Sequence, residues 1–410
     1  MKVMESSNDW ELKSLRDLAT INYGRSPAAI LSIDGLYPVV GTGGTERLGN
    51  DYLHEGESII LGRKGTIDRV HFATGRFWTI DTAYYLSDFK ESVPRWLFYF
   101  LQAIDLRQMN EATGVPSLSR DLLYKLQIPT PPKPEQHQIA AILSTIDNAI
   151  EQTEAIIAKQ QRIKTGLMQD LLTRGIDEHG NLRSEETHEF KDSPLGRIPV
   201  GWAVERLDHL LTEKRYGIST SLSDEPEGVP VLRMNNLVTG EVDYSDIKYS
   251  QRKDALKLNL NDGDVLFNRT NSIDYVGRTG IYRHSGQHVS FASYLVRLVP
   301  DRNMLCSEYL NFWLNDGTNQ IRVKQFATIG VQQANVNPTN LGTLLIALPS
   351  SIAEQERIIE ALTAVGTTIH DIGKSLSKLR ALKTALMQDL LTGKKRVTAL
   401  LNDTEEQAYA

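Results

Sequence analysis

Residues 164–173, KTGLMQDLLT, return almost unchanged as KTALMQDLLT at residues 383–392. The repeat extends upstream, because Glu135-Gln136 and Glu354-Gln355 stand at the same distance before the two decamers. No gap is needed between dipeptide and decamer in either copy. The chain is therefore a duplication.

Each copy predicts one long helix, at residues 131–175 and 349–395. Apolar residues recur with the alternating three- and four-residue spacing of a coiled-coil seam. In the first copy they are Ile139, Ile142, Ile146, Ala149, Ile156, Ile163 and Leu167, with Thr153 and Gln160 at the remaining steps. The second copy keeps a similar seam. Prolines precede each copy, and Gly175 and Gly393 follow as expected C-terminal caps. Residues 135–173 alone would make a helix about 58 Å long.

Composition limits the class of protein. A chain of 410 residues is too long for one core, and two globular units plus two long helices account for it. The single cysteine, Cys306, excludes an intramolecular disulfide and a zinc site built on several thiolates, which favours a reducing cytoplasm. We find no apolar signal core and no run long enough to span a membrane. A net charge of −6 implies that any DNA contact comes from local patches or from a partner.

The remaining chain predicts two similar mixed α/β domains, at residues 1–130 and 200–348. Short β-branched and aromatic runs broken by glycine-rich turns predict sheets with curved strands. Trp202 corresponds to Trp10, and Tyr216-Gly217 corresponds to Tyr23-Gly24. Residues 176–199 are polar and turn-rich, as in a linker, and residues 396–410 form a C-terminal tail. Matching scaffold positions with different loops indicate two readers of different targets.

Three features together resemble the specificity subunit of type I restriction-modification systems. They are PPKPEQ at residues 131–136, FKDSPLGRIPVGW at residues 190–202, and the duplicated helix ends. The resemblance covers nearly the whole chain. It implies two target-recognition domains that each read one half of a bipartite double-stranded DNA site, held apart by an antiparallel helical pair. It also implies that two methyltransferase subunits dock on the helices and recruit restriction motor-nuclease subunits. Methyl donor and ATP then belong to the partners, and this chain is expected to need no cofactor.

The order of the segments supports this picture independently. Two like domains joined by one helix, with a second helix returning, let the helices lie antiparallel and relate the domains by a pseudo-two-fold axis. Duplex DNA has a backbone of the same symmetry. The helix length is then expected to fix the gap between half-sites.

Candidate base-reading residues are Arg, Lys, Asn, Gln and hydroxyl side chains on loops. In the first domain they are Arg25, Ser26, Thr42, Thr45, Arg47, Arg63, Lys64, Thr66, Ser117, Ser119 and Arg120. In the second they are Arg215, Tyr216, Thr220, Arg233, Asn235, Asn236, Arg269, Thr270, Asn271, Ser272, Gln332, Gln333 and Asn335.

Each set has a plainer interpretation. Residues 41–44 are equally typical of a simple turn, and residues 63–66 and 268–271 of solvated hairpin tips. Tyr84, Tyr85 and Tyr294 fit core or strand-face positions, and Trp10 and Trp202 fit core anchors.

Asp170 and Asp389 lie near helix C-termini, where a negative charge opposes the helix dipole. Asp170 can pair with Arg174 one turn on, but Gly393 stands at the matching place after Asp389. A shared partner, on the opposite helix or on a docked subunit, explains both. We therefore expect these two residues to bind a partner.

The sequence favours a chain that catalyses nothing alone. We find no phosphate loop with its lysine, no Asn/Asp-Pro-Pro methyltransferase motif and no nuclease core. His284 and His288 have a spacing that suits a metal but lack a third ligand, so an exposed pair is the better interpretation. Two rivals remain: an assembly scaffold without sequence-specific DNA binding, and a lone enzyme, for which we find no paired catalytic residues.

Overall fold

The computed structural model describes residues 9–331 and 333–400. The chain divides into two compact units, of which the first takes residues up to Ala155 and from Gly373 onward. The second unit is Ile156–Ile372. Both boundaries fall inside long helices, so each long helix contributes one part to each unit.

Short strands and helices make up the first unit, before the first long helix. The strands are β1 (Glu11–Ser14), β2 (Thr20–Tyr23), β3 (Tyr37–Gly41), β4 (Gly44–Gly49), β5 (His54–Glu55), β6 (Ser58–Gly62), β7 (Val70–Ala73), β8 (Arg76–Thr79), β9 (Ala83–Ser87) and β10 (Gln127–Thr130). The helices are α1 (Leu15–Leu18), α2 (Pro94–Ala103), α3 (Arg120–Tyr124) and the long helix α4 (Lys133–Thr173), with a 3-10 turn at Leu106–Met109.

The first unit contains the antiparallel pair β1–β10 and two four-stranded sheets. One has the antiparallel order β2-β9-β6-β7, and the other has the order β4-β3-β8-β5, in which β3 and β8 are parallel. All of β6, SIILG, is buried, as a continuous apolar run in a central strand predicts. Trp96 and Leu97 of α2 share one core with Ile139 and Leu143 of α4.

The second unit is built from a longer series of elements. The strands are β11 (Phe190–Ser193), β12 (Gly196–Pro199), β13 (Trp202–Arg206), β14 (Leu211–Tyr216), β15 (Val229–Leu232), β16 (Leu237–Val238), β17 (Gly240–Val242), β18 (Lys248–Ser250), β19 (Val265–Asn268), β20 (Thr270–Asn271), β21 (Thr279–Ile281), β22 (Ser290–Phe291), β23 (Leu295–Pro300), β24 (Ala327–Ile329), β25 (Ala334–Val336) and β26 (Leu345–Pro349). The helices are α5 (Leu207–Leu210), α6 (Lys253–Leu256), α7 (Ser307–Asn315), α8 (Gly317–Gln325), α9 (Pro338–Gly342) and the long helix α10 (Ile352–Leu391), with a 3-10 turn at Met234–Asn236.

The second unit repeats the plan of the first. Its order β14-β23-β19-β21 matches β2-β9-β6-β7, and the pair β13–β26 matches β1–β10. Helix α7 packs in the core of its unit as α2 does in the first. The predicted mixed α/β fold, with two like domains and two long helices, is confirmed. Trp10 and Trp202 are buried, as core anchors should be.

The long helices run antiparallel within the first unit. Asp147 of α4 pairs with Lys383 of α10 at 2.7 Å, and Glu154 pairs with Arg380 at 2.6 Å. A later residue of α4 therefore meets an earlier residue of α10. Within the described residues, no helix combines the length and the apolar character that crossing a membrane needs.

The predicted seam is only partly right. Ile139 is fully buried, but Ile156 and Ile163 are 48% and 44% exposed. Ile139 is covered by the first unit's core, whereas the other two side chains belong to none of the buried clusters of the described chain. Gly175 and Gly393 follow the helix ends with φ of 65° and 71°, the left-handed conformation expected of C-terminal caps.

A buried glutamate at the start of each long helix forms an ion pair with an arginine. Arg183, which follows α4, forms a bidentate ion pair with Glu354 at the start of α10. Trp202 Nε1 donates to the same carboxylate at 3.1 Å. Arg396, which follows α10, forms the matching bond with Glu135 at the start of α4, at 2.7 and 2.8 Å. In each unit, the segment after one long helix therefore holds the beginning of the other.

The neighbouring glutamines fix a second helix to each start. Gln136 Oε1 accepts the N–H of Val93, the N-cap residue of α2, at 2.7 Å. Gln355 Oε1 accepts the N–H of Cys306, the N-cap residue of α7, at 2.9 Å. Both amide groups also donate to two backbone carbonyls. The repeated Glu-Gln dipeptide thus attaches each long helix to its domain through equivalent bonds.

We expect Arg183→Met to lower the free energy of unfolding of the second unit by roughly 3 kcal/mol, because Glu354 would stay buried without its cation. The methionine keeps an apolar stem of similar length. Denaturant unfolding followed by tryptophan fluorescence measures the change.

Arg197→Met is the matched control. Arg197 pairs with Glu185 and Asp192, whose side chains are 59% and 91% exposed, so its loss should cost less than about 1 kcal/mol. Equal effects of the two substitutions would contradict the role given to the buried pair.

Candidate nucleic-acid interface

The turn after β6 carries Arg63 and Lys64. The Arg63 N–H donates to Thr82 O at 2.9 Å, and the Leu118 N–H donates to Arg63 O at 3.0 Å. Lys64 and Ser117 form an isolated β-bridge. Two loops that are distant in sequence, at residues 63–66 and 117–120, are therefore held side by side.

Tyr23, at the end of β2, is contacted by two arginines of these loops. The guanidinium carbon of Arg63 is 5.6 Å from the centre of the Tyr23 ring, and that of Arg120 is 4.9 Å away. An arginine over an aromatic ring gains a cation–π attraction and loses less freedom when its N–H groups bind a ligand. Arg63 Nε also donates to Asp81 O at 3.0 Å.

Tyr84 contacts both Tyr23 and the loop at residues 117–120. Its ring packs edge-on against Tyr23 at 5.2 Å, and its hydroxyl donates to Leu118 O at 3.1 Å. Burial raises the pKa of Tyr84 to about 12, so the hydroxyl remains a donor at physiological pH.

The second unit has a corresponding cluster after β19. The Arg269 N–H donates to Tyr294 O at 3.0 Å, and the Val336 N–H donates to Arg269 O at 2.8 Å. The Arg269 guanidinium lies 5.1 Å from the centre of the Tyr216 ring. One of its nitrogens donates to Asn335 Oδ1 at 3.0 Å, and Asn335 Nδ2 donates to Thr270 Oγ1 at 2.8 Å.

The two clusters occupy the same place in the duplicated fold. Tyr216 corresponds to Tyr23 and Arg269 to Arg63, because the backbone bonds around each pair match. The β-bridge between Lys64 and Ser117 becomes the pairing of Thr270 with Asn335. The scaffold is conserved between the two units, and the side chains that it presents differ.

The other candidates of the first unit lie in three places. Arg25 and Ser26 are exposed after β2, where the Arg25 N–H donates to Thr79 O. Thr42, Thr45 and Arg47 lie on the β3–β4 hairpin. Thr66 is half-buried in the turn after Lys64, and Ser119 is the N-cap residue of α3, without a side-chain cap bond.

The candidates on the β3–β4 hairpin lie in surroundings that differ from those of Arg63. Thr42 O contacts His71 Nε2 at 3.1 Å, and Thr45 lines a cleft together with Tyr99 of α2 and Asp147 of α4. Thr45 therefore lies beside the long helix, and the contacts described for it do not join it to Arg63.

Most of the RMNN segment serves the fold. Asn236 is buried, its Oδ1 accepts the Arg233 N–H at 2.8 Å, and its Nδ2 donates to Asp243 O at 2.8 Å. The Arg233 guanidinium bonds Asp246 at 2.5 Å. Asn235 alone of the three candidates is exposed.

The other candidates of the second unit have local contacts. Arg215 lies 3.7 Å from Glu213, and Thr220 Oγ1 donates to Ser221 O at 3.3 Å. Asn271 Oδ1 accepts the Ser272 N–H at 2.8 Å. Gln333 is exposed on the β24–β25 turn, and Gln332 lies outside the described residues.

Asp170 and Asp389 each have a local cation. Asp170 lies 3.8 Å from Arg174. Asp389 pairs with Lys395 at 3.2 Å and Lys394 at 3.5 Å, and the hydrogen bond from Lys395 lowers the pKa of Asp389. Lysines beyond the Gly393 cap thus supply the charge that Arg174 supplies to Asp170, and a shared partner is not needed to explain either aspartate.

The histidine pair has no third ligand close by. His288 Nε2 contacts Ala255 O at 3.0 Å. Across residues 9–331 and 333–400, no three His, Cys, Asp or Glu side chains come together as a metal site would require.

The base-reading candidates do not include one residue of the cluster, Tyr23, although its match with the candidate Tyr216 is visible in the sequence. The repeat of Tyr-Gly after corresponding strands was the available signal.

Fold and site together define a duplicated α/β protein with an arginine-on-tyrosine cluster in each unit and two long helices. The model of the type I restriction modification DNA specificity domain matches residues 7–160 and 199–380. The chain therefore belongs to this family.

Similar proteins include three curated specificity subunits. The chain is 24% identical to the type I restriction enzyme MjaVIII specificity subunit of Methanocaldococcus jannaschii, over 96% of this chain and 94% of that protein. It is 28% identical to the putative MjaX subunit of the same organism over 50% of this chain, and thus spans about half (48%) of that relative. It is 24% identical to the EcoKI specificity subunit of Escherichia coli, over 70% and 64% of the two chains.

Two solved structures share the fold. The S subunit of a type I system from M. genitalium aligns with a TM-score of 0.63 at 15% identity, over 94% of this chain and 97% of that one. A chain from work on complex assembly and conformational transition of the type I system aligns with a TM-score of 0.55 at 16% identity, over 94% and 98%.

We expect Tyr84→Phe to speed hydrogen exchange of the Leu118 amide about fivefold, because one hydrogen bond worth about 1 kcal/mol is lost beside that loop. A raised pKa favours the neutral hydroxyl. The support is thus complete below the usual tyrosine pKa and lost as pH rises towards 12.

Hydrogen exchange between pH 7 and 9, corrected for the intrinsic rate, tests the fivefold effect and its independence of pH below the usual tyrosine pKa. Tyr216→Phe, in the other unit, is the control and should leave Leu118 unchanged. Equal protection of the Leu118 amide in Tyr84→Phe and Tyr216→Phe would contradict the claim that Tyr84 stabilises this loop.

Proposed function

We propose that this chain reads a bipartite double-stranded DNA target for a type I restriction-modification complex. Residues 1–130 and 200–348 are the two target-recognition domains, and each reads one half of the target. The arginine-on-tyrosine cluster, present at the same place in both units, is the observation that carries this proposal.

The chemistry of the clusters suits base reading. Arginine bonds guanine through O6 and N7 with two N–H groups, and asparagine bonds adenine through N6 and N7. Arg63 and Arg269 are held over tyrosine rings, which orients their N–H groups before DNA arrives. In this account Arg63 and Arg269 each contact a base edge, and Lys64 and Arg120 contact bases or phosphates beside Arg63.

Different side chains at matching positions support different half-sites. The first unit has Lys64 and Ser117 where the second has the buried Thr270 and the half-buried Asn335. Only the first unit exposes a lysine donor at the first position, and at the second position an asparagine amide, which both donates and accepts, replaces a serine hydroxyl. The two domains therefore read different bases from the same scaffold.

The long helices set the spacer and dock two methyltransferase subunits. The duplicated decamers support this role, because Gln169 and Gln388 at their matching positions are both exposed. Asp170 and Asp389 lie beside these glutamines, and we infer that they border the docking surface while keeping their local cations.

Catalysis belongs to the partners in this account. The methyltransferases bind the methyl donor, and they recruit motor-nuclease subunits that use ATP. This chain supplies specificity, needs no cofactor of its own and works in the cytoplasm with its DNA. The net charge of −6 fits a reader whose partners hold the DNA backbone.

Matched arginine variants test the proposal. The chain is co-expressed with its methyltransferase, and methylated adenines are mapped genome-wide for wild type, Arg63→Ala, Arg269→Ala and the control Arg197→Ala, which alters an exposed hairpin arginine. We expect Arg63→Ala to relax one base pair of one half-site, with a loss of discrimination of about tenfold or more. Arg269→Ala should relax one base pair of the other half-site, and Arg197→Ala should change neither.

Two results would contradict the proposal. One is an assembled, active complex that methylates no defined sequence, as an assembly scaffold predicts. The other is relaxation of the same half-site by both arginine variants.

A further inference from the structure

An exposed valine stands at the tip of a firmly held loop in the first unit. Val115 is 67% exposed, between Gly114 and Pro116. The Asn110 side chain holds both ends of the loop, because its Oδ1 accepts the Ala112 N–H at 3.1 Å and the Ser117 N–H at 2.9 Å. Its Nδ2 donates to Ala112 O at 2.9 Å. An asparagine with three such bonds defines the conformation of the loop.

The loop is also bonded to the turn that carries Arg63. The Gly65 N–H donates to Pro116 O at 2.9 Å, next to Val115. The Lys64–Ser117 bridge lies on the other side of the proline. Val115 is therefore an exposed apolar side chain on a loop that is hydrogen-bonded to the turn carrying Arg63 and Lys64.

The same feature recurs in the second unit. Ala327-Thr328 leads to Gly330-Val331 as Ala112-Thr113 leads to Gly114-Val115, with Ile329 as an added residue. Val331 is fully exposed, and Ile329 is 74% exposed. Leu118 and Val336, which follow the two loops, are buried. Each unit thus buries the apolar residue after the loop and leaves the one at its tip in solvent.

We propose that Val115 contacts the 5-methyl group of a thymine in the half-site that the first unit reads. This inference rests on the proposed function and adds one specificity-determining residue to it. The thymine methyl is the apolar feature of the major groove, and small apolar side chains recognise it. Arg63 and Lys64 beside the tip favour an anionic duplex as the occupant over an apolar protein surface.

Deoxyuridine substitution tests the contact, because it removes only the methyl group. The wild-type complex of full chain and methyltransferase is first shown to bind the mapped target over a scrambled duplex. Each thymine of the half-site that Arg63→Ala alters is then replaced singly by deoxyuridine, and equilibrium binding is measured. We expect one position at which wild type loses roughly three- to fivefold in affinity.

Val115→Ala should bind the thymine duplex three- to fivefold more weakly and lose the deoxyuridine penalty at that position. Val115→Thr, which keeps the shape, should retain part of the penalty. Val200→Ala, which truncates a half-exposed valine in the turn before β13, should behave as wild type. Light scattering checks that every variant assembles with the methyltransferase.

The outcomes separate the two proposals. Absence of sequence preference in the wild-type complex would overturn the proposed function. Sequence-specific binding in which Val115→Ala leaves every deoxyuridine penalty intact would overturn only the role of Val115. A half-site without an A·T pair, or a Val115→Ala defect confined to assembly with the methyltransferase, would overturn that role as well.

Discussion

A glutamine amide at the start of each long helix is the interaction on which the other features depend. Gln136 and Gln355 are almost fully buried, and each makes three bonds to backbone groups. A buried amide with unpaired groups costs about 1–3 kcal/mol. A shift of the helix by one residue, about 1.5 Å, would break these bonds together. Each domain is thereby held at one position and one rotation on its helix.

The neighbouring glutamates complete the arrangement through different parts of the chain. Glu354 is held by Arg183 from the connector, and Glu135 by Arg396 from beyond the last helix. The segment after either long helix thus performs the same task. This equivalence explains why the sequence repeats the helix ends so closely, since both ends must present the next residues to a matching partner.

The backbone hydrogen bonds around each cluster are equivalent in the two units, whereas the side chains beside them differ. The carbonyl oxygens of Arg63 and Arg269 accept equivalent hydrogen bonds, which the backbone N–H groups of Leu118 and Val336 donate. That bond fixes where the loops meet, and the side chains next to it are free to change. Under the proposed function, a new target requires new side chains at such positions as Lys64 and Asn335, without a new fold.

The sequence predicted features that depend on local pattern. The long helices follow from spacing, the caps from Gly175 and Gly393, and the duplication from identity between copies. Exposure of Ile156 could not be predicted, because it depends on which elements cover the helix there. The amide of Asn236 could equally have read a base or closed a turn, and only its surroundings show that it closes the turn.

The cations that pair with Asp389 are likewise not evident from a local sequence pattern. The residue that matches Arg174 is Gly393, which has no charge to offer Asp389, whereas Lys394 and Lys395 beyond this cap pair with it. The sequence does not mark Tyr23 as part of a site, because its two arginines come from loops that are distant in sequence. Contacts of this kind arise from the assembled sheet and loops, which a local pattern does not contain.

We propose that each recognition domain is held in place on a helix and that the helices set the distance between half-sites. Insertion of one heptad into both long helices, after Ala155 and after Ile372, preserves the seam and adds about 10 Å. The most direct test is to map adenine methylation by the co-expressed complex. The account predicts unchanged half-sites and a spacer longer by about three base pairs, at about 3.4 Å each. Methylation of the original motif with its original spacer would contradict it.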